Sequence, residues 1–201
     1  MKELFLSVTK NLLYGLIAYV LISLPREILR CLFYNFLTPK ESRKTLPSLN
    51  PFRYIDPVGI FAFIFFNFGW TRAPFIDFTK MRKKKLFTYA SFGILSSFVL
   101  AFLYGFLARI ANPVFFDVLY RASLWSFTYG LISILPVPPL DGSRLLLAFL
   151  PTKSYEWYIK FNVYGIIFML GLLVLWILPL IMQPLVIFIT TVTNYIVFGN
   201  W

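Results

Sequence analysis

The amino-acid sequence predicts an all-α protein, a polytopic bundle of transmembrane helices. Two features of the composition favour this class: 59% of the 201 residues are hydrophobic and only 13% are charged, whereas about 25% are charged in a typical soluble domain. The third observation is the pattern, because apolar runs long enough to cross a bilayer alternate with short basic segments. We therefore expect a single integral membrane domain over 1–201.

Five apolar runs are long enough to be spans, since a hydrocarbon core about 30 Å thick needs about 20 helical residues. In chain order, the predicted spans are 4–36, 86–110, 114–135, 159–178 and 179–198. A sixth apolar segment, 57–70, would reach only about 21 Å as a helix. Basic residues flank it on both sides, so both of its ends should face the cytoplasm. We predict that it is re-entrant or buried against the bundle, with a short true span as the alternative.

The net charge of +11 comes from basic residues that cluster between the apolar runs. By the positive-inside rule, the basic loops and the C-terminus are predicted to be cytoplasmic, and the N-terminus external. One run is predicted to be a topology anchor, with contact to acidic membrane lipids or to an acidic partner loop as the alternative role: Lys80, Arg82, Lys83, Lys84 and Lys85. A nucleic-acid partner is not expected, because no module for reading a groove or stacking on bases is visible.

The stretch LPVPPLDGSRLL, at 135–146, is polar for a segment that follows an apolar run. Prolines end helices and Asp-Gly is common in turns, so an ordinary cytoplasmic turn would explain it. Two other blocks precede it, LNPFRYIDPVG at 49–59 and FGW at 68–70. Together with SILPVPPLDG at 133–142, they resemble the site-2 protease family of intramembrane metalloproteases (peptidase family M50), in its compact prokaryotic branch.

This resemblance implies a site-2-protease-like core over 1–158, two C-terminal transmembrane helices in 159–201, and a location in a prokaryotic inner membrane. The family motif Asn-x-x-Pro-x-Pro-x-x-Asp-Gly supplies the third zinc ligand, which would be Asp141, while Ser133 stands at the Asn position. The other ligands belong to His-Glu-x-x-His on a helix. Histidines four residues apart share one helix face and bind one zinc, and the glutamate acts as the general base.

The histidine half of that site is missing. The family spacing from 50–51 puts the first histidine on Pro25, the glutamate on Arg26 and the second histidine on Leu29. Glu27 is displaced by one residue, about 100° around the helix, and the chain contains no histidine. Only Asp141 remains, so we expect no zinc and no catalytic residue, and we interpret the chain as a relative that is not an enzyme.

An aspartate that has lost its metal needs another cation. We predict that Asp141 pairs with Arg26 or Arg30, with Arg144 as the local alternative. A solvated helix end, with Glu27 paired to Arg30, is the other reading of these charges. Pro25 is expected to kink the first helix and to leave the carbonyl of 21 without its intrahelical donor.

Three functions are compatible with these features. The leading hypothesis is a proteolytically inactive scaffold or accessory subunit that binds other membrane protein subunits through their transmembrane segments. The second is an active intramembrane zinc metalloprotease with an unconventional site. The third is lipid binding or transport by a charged cavity around Arg26, Glu27 and Asp141.

Overall fold

A computed structural model describes residues 2–37, 48–66, 68–72 and 82–199. Within these ranges the regular secondary structure is entirely helical, with no strand, which confirms the all-α prediction. Two short 3₁₀ turns, Pro51–Tyr54 and Thr152–Ser154, accompany the helices. The α-helices are α1 (Lys2–Leu37), α2 (Pro57–Phe66), α3 (Lys83–Ile110), α4 (Pro113–Ile132), α5 (Asp141–Phe149), α6 (Tyr155–Val174) and α7 (Ile177–Phe198).

Three of these helices are long and apolar enough to cross a membrane: α3, α6 and the Leu180–Phe198 part of α7. The predicted first span is formed as α1, which is one helix of 36 residues. The predicted third span is formed as α4, which is more polar than expected because it carries Asp117, Arg121 and several hydroxyl residues. The sequence predicted five spans, whereas only three helices of the described residues are long and apolar enough to be spans.

Asparagine and proline explain where α4 and the first 3₁₀ turn begin. Asn112 accepts a hydrogen bond from the backbone N–H of Phe115, and Pro113 is the first helical residue. Asn50 caps Pro51–Tyr54 in the same way, accepting from the N–H of Phe52 at 3.1 Å. Asparagine oxygens satisfy free N–H groups at helix starts, and proline costs nothing there because its missing N–H has no partner in any case.

The described parts of the segment 57–70 double back on themselves, which is the chain path that the predicted re-entrant segment requires. The chain runs along α2 and returns in a stretch without regular secondary structure that ends at Arg72, whose N–H donates to the carbonyl of Tyr54 at 2.9 Å. Entry and exit therefore lie side by side. The two arms touch backbone to backbone, because a Cβ added to Gly59 would overlap the carbonyl oxygen of Trp70 and lie 3.0 Å from its carbonyl carbon.

Helix α3 is the central element and packs against α1, α4, α5 and α7. Small residues allow this close packing: Gly130 of α4 would place a Cβ 3.2 Å from Ser97 of α3. Gly105 of α3 approaches the side chain of Ile196 in α7. Glycine and serine at helix contacts are typical of membrane bundles, where close van der Waals packing drives association.

The C-terminal end of α7 lies beside the turn between α3 and α4. Phe198 packs against Phe116 near the start of α4, with ring centroids 5.9 Å apart, and Gly199 lies next to Arg109 near the end of α3. The basic start of α3 is at the opposite end of that helix. The prediction that the C-terminus shares a side with the basic loops therefore needs correction. The prediction required α6 and α7 to cross the membrane in opposite directions. In the structure, α6 begins against α5, and α7 follows α6 and ends beside the α3–α4 turn.

Helix α1 continues through Pro25 without interruption. The proline removes the donor for the carbonyl of Leu21, as expected. Tyr104 of α3 replaces it, because its hydroxyl donates to that carbonyl at 2.6 Å. The cost of the proline is thus compensated by a neighbouring helix, the usual way in which membrane helices tolerate proline.

Candidate functional site

The polar stretch after α4 folds back on the end of that helix and starts α5. The N–H of Gly142 donates to the carbonyl of Ser133 at 2.7 Å. A Cβ on Gly142 would overlap the carbonyl oxygens of Ile134 and Leu135, so only glycine fits there. The turn places Asp141 in the first turn of α5, where a carboxylate is favourable beside the free N–H groups.

Asp141 is at the centre of a buried cluster of five charged side chains, which we call the charge cluster: Arg26, Glu27, Arg30, Asp141 and Arg144. Its Oδ1 accepts from Arg30 Nη1 at 2.6 Å and also from Arg144, one turn along α5. Its Oδ2 accepts from Arg26. Asp141 thereby joins α1 to α5.

Glu27 completes the charge cluster from the α1 side. Its Oε1 accepts from Arg26 Nη1 at 2.6 Å and from the hydroxyl of Thr71 at 2.7 Å. Its Oε2 accepts from Arg30, three residues further along the helix. Through Thr71, Glu27 attaches the returning arm of the re-entrant segment to α1.

Neutral side chains contact the guanidinium groups of Arg26 and Arg30. Arg26 Nε donates to Ser97 Oγ of α3 at 2.8 Å, and its guanidinium lies 4.6 Å from the ring centre of Tyr129. The guanidinium of Arg30 lies 4.7 Å from the ring centre of Tyr89. Desolvated cation–π contacts of this kind stabilise by about 2 kcal/mol, so the aromatic rings offset part of the cost of burying the arginines.

The charge cluster contains three cations and two anions, a net charge of +1, and no member is more than 7% exposed. Burial alone would raise the pKa of Asp141, but Arg30, Arg26 and Arg144 outweigh burial and hold that pKa well below its ordinary value. Removing one partner from such a buried network leaves a charge uncompensated, which costs about 3–5 kcal/mol.

The structure brings together Asp141, Arg26 and Arg30, the three residues of the predicted pairing, and adds the local alternative Arg144. The reading of a solvated helix end does not apply, because Arg26, Glu27 and Arg30 are at most 2% exposed. The other positions of the motif do not join the charge cluster. Leu29 packs against Leu100 and Tyr104, and Pro25 is half-buried; Ser133 is buried, and its hydroxyl has no hydrogen-bond partner within the described residues.

The residues at this place do not fit a zinc ion. Within the described part of the chain, no group of three histidine, cysteine, aspartate or glutamate residues could hold a metal. The retained carboxylate already accepts hydrogen bonds on both oxygens from guanidinium groups. Zinc sites use thiolate, imidazole or carboxylate ligands, usually three or four of them, and arginine supplies none.

The predicted basic anchor is separate from this site. Arg82, Lys83 and Lys84 are exposed at the start of α3 and Lys85 is half-buried. Lys80 lies outside the described residues.

Sequence reasoning did not identify Thr71, Tyr129 and Tyr89 as members of this site. Each reaches a charged group from an element far away along the chain: Thr71 from the returning arm, Tyr129 from α4 and Tyr89 from α3. A weak signal existed for Thr71, since it directly follows the FGW block at 68–70. The tyrosines carry no such signal, because aromatic residues are 20% of the chain.

The chain is similar to a Bacillus subtilis (strain 168) protein named "Putative zinc metalloprotease YwhC", with 26% identity over 154 residues and 70% of each chain covered. No family model matches the chain. No solved structure matches it. The similarity supports a distant site-2-protease-like relationship.

This comparison contradicts one prediction. The absence of histidine led us to interpret the chain as not an enzyme, whereas the relative is named as a metalloprotease, which points towards protease activity. A missing zinc-ligand set excludes only the zinc mechanism of the resembled family and does not by itself exclude hydrolysis.

Proposed function

We propose that this chain is a site-2-protease-like protein of a prokaryotic inner membrane that binds transmembrane segments of partner proteins, as an accessory subunit or scaffold of a membrane complex. The observation that carries the proposal is the charge cluster. Its ion pairs join α1 to α5, and the hydrogen bond from Thr71 to Glu27 attaches the returning arm of the re-entrant segment. These are the elements that carry the motifs of the resemblance. Because arginines pair with Asp141, the packing of α1 against α5 does not require a zinc ion.

The outer surface of the bundle suits such binding. In the most apolar stretch of α6, and likewise of α7, only 22% of the residues are buried, against 50% in α3. Exposed aromatic pairs add to this surface: Phe61 and Phe65 of α2 lie 4.5 Å apart and face outwards. Transmembrane helices associate through van der Waals packing, and uncovered helix faces next to rigid elements provide the contact area.

Purification from native membranes in a gentle detergent tests this function. The tagged wild-type chain is expected to retain one or more integral membrane proteins that an unrelated tagged polytopic protein does not retain. Asp141→Asn removes the ion pairs that join α1 to α5 and should lower the amount of co-purified membrane protein. Asp117→Asn, at an exposed carboxylate, should leave that amount unchanged. Enrichment no greater than that of the unrelated protein would refute the proposal.

Proteolysis of a transmembrane segment is the second candidate, favoured by the name of the Bacillus subtilis relative. It requires a catalytic group that the resembled family's motif does not supply here. Two measurements separate it from binding alone: elemental analysis of the purified protein and cleavage of a labelled transmembrane peptide. Stoichiometric zinc together with cleavage, both lost in Asp141→Ala, would establish an unconventional metalloprotease.

The third hypothesis, lipid binding or transport by a charged cavity, receives no support at this place. Arg26, Glu27 and Asp141 are buried and bonded to one another and to their neighbours. Because their charged atoms contact other protein atoms, they leave no space for a ligand. A cavity between α4 and α7 is a better candidate for ligand binding.

A further inference from the structure

A cavity of about 360 Å³ lies between α4 and α7, on a different part of the molecule from the charge cluster. The end of the re-entrant segment closes one side through Phe66 and Phe68. Most of the wall is aliphatic or aromatic, with Trp125, Met182 and Ile189 as its larger members. Pockets of 300–1,000 Å³ with apolar walls and few polar groups are typical of small-molecule sites.

The wall offers almost nothing polar to a ligand. Two hydroxyl groups line it, but Thr128 donates to the carbonyl of Leu124 at 2.9 Å and Thr190 to that of Val186 at 2.8 Å. The single donor of each hydroxyl is thus used within its own helix. A wall with so few polar groups favours a hydrocarbon ligand.

Arg121 is the single charged residue lining the cavity. It is exposed, and no carboxylate of the described residues lies within ion-pair distance of it, although Asp117 is one helical turn away. Arg121 lies eight residues after Pro113, so its Cα is about 12 Å along the helix from the start of α4. A cation at such depth is costly unless it reaches the interface or gains an anionic partner.

We propose that this cavity binds one acyl chain of an anionic membrane phospholipid, with the lipid phosphate paired to Arg121. The apolar wall takes the chain, and the unpaired guanidinium takes the charge. Arginine is suited to phosphate because its N–H groups match two oxygens at once. A zwitterionic phospholipid also carries a phosphate, but the ammonium group of its own headgroup offsets that charge, so it is a weaker partner for Arg121 than an anionic phospholipid.

A transmembrane helix does not fit this cavity. A membrane-spanning helix is about 10 Å across and about 30 Å long, which is far larger than a cavity of about 360 Å³. A single extended hydrocarbon chain is much thinner. The cavity therefore differs in kind from the surface proposed to bind partner proteins, and the two proposals fail independently.

Lipid binding to the 201-residue chain in detergent tests this site, with native mass spectrometry and thermal unfolding as readouts. Phosphatidylglycerol, phosphatidylcholine and a free fatty acid are added at matched concentrations. For the wild type, phosphatidylglycerol should bind with about one equivalent and raise the unfolding temperature, and the other two should do so much less. Arg121→Gln, at an exposed position, should weaken phosphatidylglycerol binding about tenfold, the effect of losing one charge-assisted contact.

Two further variants separate the cavity from general surface charge. Val186→Trp, which fills the cavity, should abolish binding, whereas Arg109→Gln, an exposed arginine at the same end that does not line it, should leave binding unchanged. Equal binding of phosphatidylglycerol and phosphatidylcholine, or equal losses in Arg121→Gln and Arg109→Gln, would overturn the proposal. Saturable binding of the fatty acid alone would also overturn it, because the anion would then be a carboxylate and not a phospholipid.

Discussion

Asp141 is the residue on which the charge cluster depends, because it accepts hydrogen bonds from three guanidinium groups at once. Without its charge, the net charge of the buried group rises from +1 to +2, since one of the two carboxylates is lost. Buried charges in this number are tolerated only when they are paired and hydrogen-bonded. Substitution of a single charged residue of this site is therefore expected to lower the stability of the fold.

We predict that Asp141→Asn lowers the free energy of unfolding by about 3–5 kcal/mol, the usual cost of breaking a buried ion pair from one side. Unfolding in mixed detergent micelles, followed by circular dichroism, measures the change. Asp117→Asn provides the matched control, because Asp117 is exposed, and it should change stability by no more than about 0.5 kcal/mol. Equal stability of the two variants would show that the ion pairs of Asp141 do not stabilise the fold.

Gly93 of α3 gives a second residue-scale prediction. A Cβ at this position would overlap Asp141, lying 2.8 Å from its Cγ and 3.0 Å from Arg30 Nη1. Gly93→Ala should therefore destabilise by about 1–3 kcal/mol, the usual cost of overpacking. Gly171→Ala in α6 is the control, since no atom lies within 4 Å of its added Cβ, and helix propensity should make it neutral or stabilising by up to about 1 kcal/mol.

At the scale of the elements, helix α1 depends on α3 for its continuity. Pro25 removes one backbone donor and Tyr104 supplies another from the neighbouring helix. The hydroxyl of Tyr104 is needed at this carbonyl only because Pro25 lacks an N–H group. Pairs of this kind produce non-additive mutational effects, which a double-mutant cycle measures directly.

We predict that Tyr104→Phe destabilises the wild type by about 1 kcal/mol, because it removes the hydrogen bond to the partly buried carbonyl of Leu21. In the background of Pro25→Ala the same substitution should cost much less, since alanine restores the intrahelical donor. Unfolding free energies of the four proteins give the coupling. Additive effects would mean that the hydroxyl of Tyr104 does not compensate for Pro25.

At the scale of the whole molecule, the sequence predicted the helices better than it predicted the contacts between them. Run length and basic flanks were enough to predict the re-entrant segment, and the spacing of Glu27 and Arg30 was enough to suggest their pairing. The family resemblance predicted that Asp141 lies close to α1. Contacts such as Thr71 with Glu27 were beyond reach, because they depend on how the returning arm packs and no local periodicity encodes that.

The direction of the last helix was also beyond reach of the sequence. Run lengths indicate that 159–178 and 179–198 are helical and apolar, but not whether the chain reverses between them. Trp176, with a left-handed backbone conformation at φ 60°, lies between α6 and α7. The side chains that meet α7 decide its direction: Tyr120 of α4 donates a hydrogen bond to Asn194 at 2.6 Å, and Phe198 packs on Phe116.

This arrangement predicts the sidedness of three positions, which single added cysteines test in sealed membrane vesicles. Ala111→Cys, at the α3–α4 turn, and Gly199→Cys should react with an impermeant thiol reagent from one side of the membrane, and Lys84→Cys from the other. The native Cys31 is buried and should give little background. The basic residues predict that the side of Lys84 is cytoplasmic. If Gly199→Cys and Lys84→Cys were labelled from the same side, α7 would have to run opposite to the direction described here, and the cavity between α4 and α7 would lose the wall that α7 supplies.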